Sequence, residues 1–209
     1  MIIAVDGPAA SGKGTIARAL AAHYDLPYLD TGLLYRAVGT NVVRGGGDPA
    51  DPDAALAGCA FDDLLLRDAA LRSEQAGAAA SIVSAHPAVR AALIERQRDF
   101  AARPGGAILD GRDIGTVIAP HADAKLFVRA SPTVRAQRRH AEMLTMGQSV
   151  SVDTLLAEIR DRDRRDCTRD AAPLVQAPDA DLLDTSFLSI DAAVQRAIAL
   201  VDARTAVRT

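Results

Sequence analysis

A short apolar run at residues 2–5 leads directly into Gly7, Pro8, Ala9, Ala10, Ser11, Gly12, Lys13, Gly14 and Thr15, and no other stretch of the chain constrains its fold as tightly. The spacing satisfies G-x-x-x-x-G-K. Its glycines let successive backbone N–H groups turn inward around phosphate oxygens, and the following helix adds its positive N-terminal end. Lys13 would reach the β- and γ-phosphates of a bound nucleotide. The context fits, because a buried strand precedes the loop and a helix expected to turn Ile16, Ala19 and Leu20 inward follows it. Most such loops place Ser or Thr after the lysine. Here Gly14 stands instead, which removes the hydroxyl usually offered to Mg²⁺ and leaves Thr15 as the nearest candidate for the metal.

Four further apolar runs, at 27–29, 107–109, 124–128 and 181–183, have strand length and are apolar throughout rather than alternating. That pattern suits parallel strands covered on both faces, and so an α/β fold wound by helical crossovers. One such helix is expected over 190–203, with Ile190, Val194, Ala197 and Val201 on its inner face and Ser189 as its cap. Residues 45–105 are too long for a simple crossover. They open with Gly45, Gly46, Gly47, Asp48 and Pro49, break again at His86-Pro87, and then show a buried stripe of Val89, Leu93 and Phe100. A second excursion covers 147–178. At roughly 150 residues per domain, the 209 residues read as one domain. Its core comprises 1–44, 105–146 and 179–209, with an insert at about 45–104 and a lid at about 147–178.

Charge and composition exclude several functions. The 24 basic residues against 27 acidic ones leave a net charge of −3, and aromatics are 3% with no Trp. A nucleic-acid partner needs a basic surface or a stacking platform, so none is expected. The opening apolar segment is too short to span a membrane, and a cytoplasmic location follows by default. Cys59 and Cys167 form no CxxC and have no histidine at metal spacing, which leaves no basis for a disulfide framework or a zinc site. All basic residues except Lys13 and Lys125 are arginine, so a functional arginine has to be argued from position as well as identity.

Three charged clusters meet that standard. Asp30 or Thr31 can cap a helix that carries Arg36 one turn in. Asp110, Gly111, Arg112, Asp113, Ile114, Gly115 and Thr116 form a charged turn at the carboxyl end of a strand, where ligands bind in open α/β sheets. Between 155 and 169, i,i+4 pairs such as Glu158 with Arg162 and Asp161 with Arg165 fit an exposed helix. Yet Leu155, Ile159, Arg162, Asp166 and Arg169 step by four and three along one face, and that spacing favours a cleft. Cys167 lies among these arginines, either as a thiol of lowered pKa or as an inert exposed one.

Taken in order, GPAASGKGT, LDTGLLYR, SAHPAVR, DGRDIGT and IRDRDRRDCTRDAAPL resemble the bacterial cytidylate kinases, from residue 1 to about residue 190. The resemblance implies a P-loop NTPase-type five-stranded parallel sheet with helices on both faces, an acceptor-binding insert and a mobile lid. It also implies transfer of the γ-phosphoryl group from ATP, with Mg²⁺, to CMP or dCMP by a monomer. Carried over residue by residue, it puts Thr31, Arg36, Arg90 and Arg112 near the acceptor phosphate and Ser81, Asp113 and Arg169 near the cytosine. Asp166 and Arg162 then lie by the ribose, and Lys13, Arg112 and Arg162 carry the transfer. Thr31 stands where some relatives have Ser. The stretch between Arg36 and Ser81 is shorter than in the best-known members, so a hairpin of the insert is expected to be absent. Two rival readings are a kinase for UMP or AMP and a non-catalytic nucleotide-binding regulator, the latter needing no acceptor arginines.

Overall fold

Five parallel strands, β1 (Ile2–Asp6), β2 (Tyr28–Asp30), β3 (Ala107–Gly111), β4 (Ala124–Arg129) and β5 (Asp181–Asp184), pair in the order β2-β3-β1-β4-β5. They belong to a computed structural model that describes residues 1–145 and 147–206. Parts of the core segments read from sequence, Met146 and residues 207–209, lie outside the described residues. β1 is central, with Ile3 level with Ile108 on one side and Ala124 on the other. Side chains alternate between the two faces of a strand, and both faces are covered. Ile3, Val5, Ile108, Leu126 and Leu183 pack against Ile16, Ala17 and Leu20 of α1 (Lys13–Tyr24) and Ala193, Ala197 and Val201 of α8 (Ile190–Ala206). On the opposite face Ala4 and Leu109 meet Ile114 and Ile118, with Ile94 and Phe100 of α5 (Pro87–Ala101) packed alongside. This double burial is the reason the strands read as unbroken apolar runs.

Three helix faces differ from expectation. In α5 Val89 and Leu93 are buried as expected, but Ala101, not Phe100, is the buried residue near its end, and Phe100 is half-buried. In α1 Ala17, not Ala19, is the buried alanine. In α8 Ser189 Oγ does accept from the Ala192 N–H (3.2 Å), but Ile190 is 68% exposed and the buried stripe is Ala193, Ala197 and Val201. Ile190 sits in the first turn, where it lines a surface cavity rather than the sheet.

The other helices are α2 (Thr31–Arg44), α3 (Pro52–Ala57), α4 (Glu74–Val83), α6 (Pro132–Thr145) and α7 (Val152–Thr168). Leu34, Tyr35 and Val38 of α2 form a separate cluster with Ala55, Ala80, Val83, Val89 and Leu93. The insert therefore has its own small core, built of helices and two 3-10 turns, and no strand occurs among its described residues. Leu155 and Ile159 of α7 pack on Ala136 and Met143 of α6. Both cysteines are free, and among the described residues no single helix is long and apolar enough to cross a membrane.

α2 and α4 approach most closely at Gly39, where an added Cβ would lie 2.7 Å from Ala79 Cβ and 2.9 Å from its carbonyl carbon. Gly39→Ala should gain helix propensity yet lose more through overpacking, for a net destabilisation of about 1–2 kcal/mol by urea unfolding. An unchanged or raised midpoint would show that the two helices slide apart freely.

Candidate active site

The glycine-rich loop is shaped by what surrounds it. Gly7 has φ +156°, and a Cβ there would fall 2.0 Å from Val128 O at the end of β4, so no other residue fits. From behind, Thr185 Oγ1 donates to Ser11 O (2.9 Å) and ties the loop to the end of β5. Lys13 opens α1, where burial lowers its pKa and Asp110 counteracts the effect. Gly14 has a spatial explanation: a Cβ there would lie 3.1 Å from Asp110 Oδ2. The hydroxyl missing from the loop and the carboxylate arriving from β3 occupy the same region.

Asp110 is the hub of this region. The Tyr28 hydroxyl donates to its Oδ2 (2.9 Å), while the buried Oδ1 has no partner. Burial raises its pKa, Lys13 pulls it back, and Asp30 pushes it further up. Thr31 Oγ1 donates to Asp110 O (2.8 Å). Neither Asp30 nor Thr31 therefore caps α2 through its side chain, contrary to the sequence reading. Asp30 is the capping position by backbone only, and Thr31 is already helical and uses its hydroxyl to join β2 to β3.

Asp6, at the end of β1, is buried and accepts from the N–H groups of Ile114 (2.9 Å) and Gly115 (2.8 Å). These bonds fasten the turn that presents Arg112 and Asp113. Burial outweighs them and pushes the Asp6 carboxyl up to about 7.

The structure brings Thr31, Arg36, Ser81, Arg90, Arg112, Asp113, Arg162, Asp166 and Arg169 together around one cavity of about 50 Å³. The α7 stripe thus faces a cleft, not solvent. Arg112 Nε donates to Asp166 Oδ2 (2.8 Å). Burial disfavours the Arg112 charge, but Asp166 more than compensates and raises its pKa, while Arg112 and Arg162 hold Asp166 low against the same burial. Arg90 pairs with Asp113, whose other oxygen lies 3.8 Å from Arg169. Arg36 instead donates to the carbonyls of Leu71 (2.8 Å) and Ser73 (2.9 Å), and Arg162 Nε is buried without a partner. Burial lowers the pKa of Arg36, and burial with repulsion from Arg112 brings Arg162 down to about 10. Ser81 Oγ and Arg169 Nη2 also have no hydrogen-bond partner. Cations without carboxylates and unsatisfied donors make this an anion site with polar capacity to spare.

A larger cavity of about 550 Å³ is lined by Ala10, Ser11, Gly12 and Thr15 of the loop, with Arg138, Arg139, Thr185 and Ile190. Between the two lies a cleft of about 150 Å³ that shares Arg36 and Arg162 with the first cavity and Ala10 and Arg139 with the second. The three concavities are thus neighbours with shared walls, and Glu74, Glu142 and Glu158 also line the middle one.

Sequence reasoning missed Asp6, the role of Asp110, and the group Arg138, Arg139 and Thr185. The two aspartates had a readable signal, since each is a charge closing an apolar strand. The arginines had none in a chain this rich in arginine. Cys167 is exposed, and burial of its thiol leads the effects that raise its pKa, so the low-pKa alternative fails.

Residues 3–203 match the family model described as Cytidylate kinase. A protein named Cytidylate kinase from Xanthobacter autotrophicus is 59% identical over 208 residues, covering 100% of each chain. Another of that name from Cereibacter sphaeroides is 58% identical, covering 98% of this chain and 96% of that one. Among solved structures, an uncharacterized protein from Eubacterium ventriosum aligns with a TM-score of 0.59 at 18% identity, over 97% of this chain and 98% of that one, a likeness of fold alone.

The Asp6 carboxyl yields a pH prediction. Its pKa is higher in the folded chain than in the unfolded one, so between about pH 4 and 7 the native state holds the extra proton and stability falls as pH rises. The unfolding free energy of the wild type minus that of Asp6→Asn should therefore decline across this window, by roughly 4 kcal/mol at most, and stay flat above it. A difference that does not move with pH would give Asp6 an ordinary acidity.

Proposed function

The chain belongs to the cytidylate kinase family and transfers the γ-phosphoryl group of ATP to CMP or dCMP, and we propose that ATP phosphates lie in the loop at 7–15 while the acceptor lies in the arginine-lined cavity. One observation carries this division of labour. A cleft lined by Ala9 and Ala10 of the loop shares Arg36 and Arg162 with the acceptor cavity, and these are the two site arginines with no carboxylate at salt-bridge distance among the described residues.

Bringing a triphosphate toward a monophosphate sets like charges side by side. Each unit pair at 4 Å costs about 4 kcal/mol at an effective dielectric near 20. Lys13, Arg36, Arg112 and Arg162 supply the opposing charge at fixed positions, so positioning and electrostatics provide the catalysis. No side chain serves as the nucleophile, because an oxygen of the acceptor phosphate attacks the γ-phosphorus in line and ADP departs. Thr31 and Arg90, with Arg36 and Arg112, hold that acceptor phosphate, and Asp166 orients the ribose. The acceptor cavity is far smaller than a nucleotide site of about 300 Å³ or more. Entry therefore requires α7 and the insert to part, and their return excludes water that would otherwise take the phosphoryl group. On this reading residues 147–178 act as the lid.

The Mg²⁺ that accompanies ATP suits the carboxylate pair Asp110 and Asp30 beside Lys13. Asp110 Oδ1 is a buried oxygen with an unused acceptor site, and a hard cation that keeps most of its waters needs only one or two carboxylates. Held there by Asp110 and Asp30, the ion would supply positive charge against the donor phosphates. Thr15, the hydroxyl nearest in sequence, is exposed on the donor side and is the weaker candidate.

Base selection rests on Asp113. Cytosine presents an exocyclic amine where uracil presents a carbonyl, so a fixed carboxylate accepts from one and repels the other, with Ser81 and Arg169 completing the contact. The reading also has the enzyme working as a cytoplasmic monomer that contacts neither membrane nor nucleic acid. A site complete within one chain and a net charge of −3 support it.

Acceptor profiling with ATP, Mg²⁺ and a panel of nucleoside monophosphates tests the whole scheme through the identity of the diphosphate formed. Lys13→Ala should lower turnover by about a thousandfold or more with its melting curve retained, and normal turnover would contradict the phosphate cradle. Asp113→Asn should reduce kcat/KM for CMP more than for UMP, the gap corresponding to about 1–3 kcal/mol. Equal losses for both acceptors would remove Asp113 from the base contact and leave it only as the partner of Arg90.

A further inference from the structure

A buried arginine outside all three concavities joins the phosphate loop to α7. Arg135, in the first turn of α6, is 2% exposed, and every nitrogen of its guanidinium is engaged. Nε donates to Ala130 O (3.0 Å), Nη1 to Ala9 O (3.1 Å) and to Asp163 Oδ1 (2.9 Å), and Nη2 to Asp163 Oδ2 (2.5 Å). Asp163 is on α7, next to Arg162 and less than one turn from Asp166. Neither Arg135 nor Asp163 lines the donor cavity, the cleft or the acceptor cavity. A planar fork gripping a carboxylate through two parallel bonds has one orientation, which a lysine cannot reproduce.

Peptide geometry transmits that orientation into the loop. In a trans peptide the carbonyl of one residue and the N–H of the next point to opposite sides, and no cis bond occurs among the described residues. With Ala9 O drawn to Arg135, the N–H of Ala10 points away from it. Ala10 also stands at φ +58°, a left-handed conformation unfavourable for alanine, so its peptide needs an external hold. We propose that Arg135 and Asp163 are positioning residues that turn the Ala10 N–H toward the donor phosphates and bind that setting to the place of α7, so that ATP and acceptor binding are coupled. The inference rests on the donor and acceptor assignment given above.

Calorimetric titration of the full chain tests it. The dissociation constant of CMP is measured alone and with a saturating non-hydrolysable ATP analogue, and the ratio of the two is the coupling. Arg135→Lys and Asp163→Asn should each move this ratio toward one by about fivefold or more, whereas Asp163→Glu keeps the carboxylate and should restore most of it. The double variant should lose no more coupling than the worse single one, because both residues act through one link. A merely structural role would weaken CMP equally with and without the analogue, and that result overturns the proposal, as does a wild-type ratio of one. Should Arg135→Lys fail to fold, Asp163→Asn against Asp163→Glu decides, since the Asp163 side chain is 25% exposed and tolerates exchange. A wild-type chain that binds both nucleotides but forms no CDP would sink the functional reading, while the coupling is still read from binding.

Discussion

The parallel pairing of β1 with β3, with Asp6 level with Gly111, is the constraint from which the site follows. It sets the start of the glycine-rich loop beside the turn that carries Asp110, Arg112 and Asp113. Two contacts then lock the pair at its carboxyl end. The Asp6 carboxylate receives the N–H groups of Ile114 and Gly115, and Asp110 reaches the region where a side chain on residue 14 would have to sit. Both carboxylates are buried at a cost visible in their raised pKa values. Buried charge of this kind persists only where geometry is over-determined, as at functional sites.

The same region shows how a protein stores positive charge for a polyanion. Five arginines, Arg36, Arg90, Arg112, Arg162 and Arg169, line the acceptor cavity, and the Lys13 charge lies within electrostatic reach of Arg112 and Arg162. Left alone they would repel one another and resist burial. Asp166 steadies Arg112, and Asp113 steadies Arg90. Arg36 is held by backbone carbonyls, which orient it without neutralising it, and Arg162, whose Nε has no hydrogen-bond partner, has its pKa lowered by burial and by Arg112. On the proposed reading, an arriving phosphate dianion meets donors already aimed and only partly satisfied, and little reorganisation remains to be done at the moment of transfer.

Much of this was legible in the sequence, for a physical reason in each case. The central strands were legible because burial on both faces favours apolar residues, with Lys125 in β4 an exception, and the loop because only glycine fits at position 7. The α7 stripe was readable from its steps of four and three. Other features depend on tertiary placement. Thr31 looks like a helix cap until β3 supplies the carbonyl of Asp110 as a better partner. Ile190 reads as core until the sheet proves to end short of it. Arg138 and Thr185 are distant in sequence, and only the fold brings them together behind the loop.

The scarcity of lysine gains meaning in this light. On the proposed reading, Lys13 serves as a compact point charge for phosphates. Along the cavities the cations are arginines whose planar forks can divide their bonds, Arg112 between Asp166 and the Gly111 carbonyl and Arg36 between two carbonyls, and Arg135, outside the cavities, divides its own between Ala9 and Asp163. A guanidinium can keep a structural bond on one nitrogen while offering others to a ligand, and an ammonium cannot do so with fixed direction. That property lets the same residues hold the cavity together and still bind. Replacing any of these arginines by lysine would preserve charge while losing the directed bonds of the guanidinium.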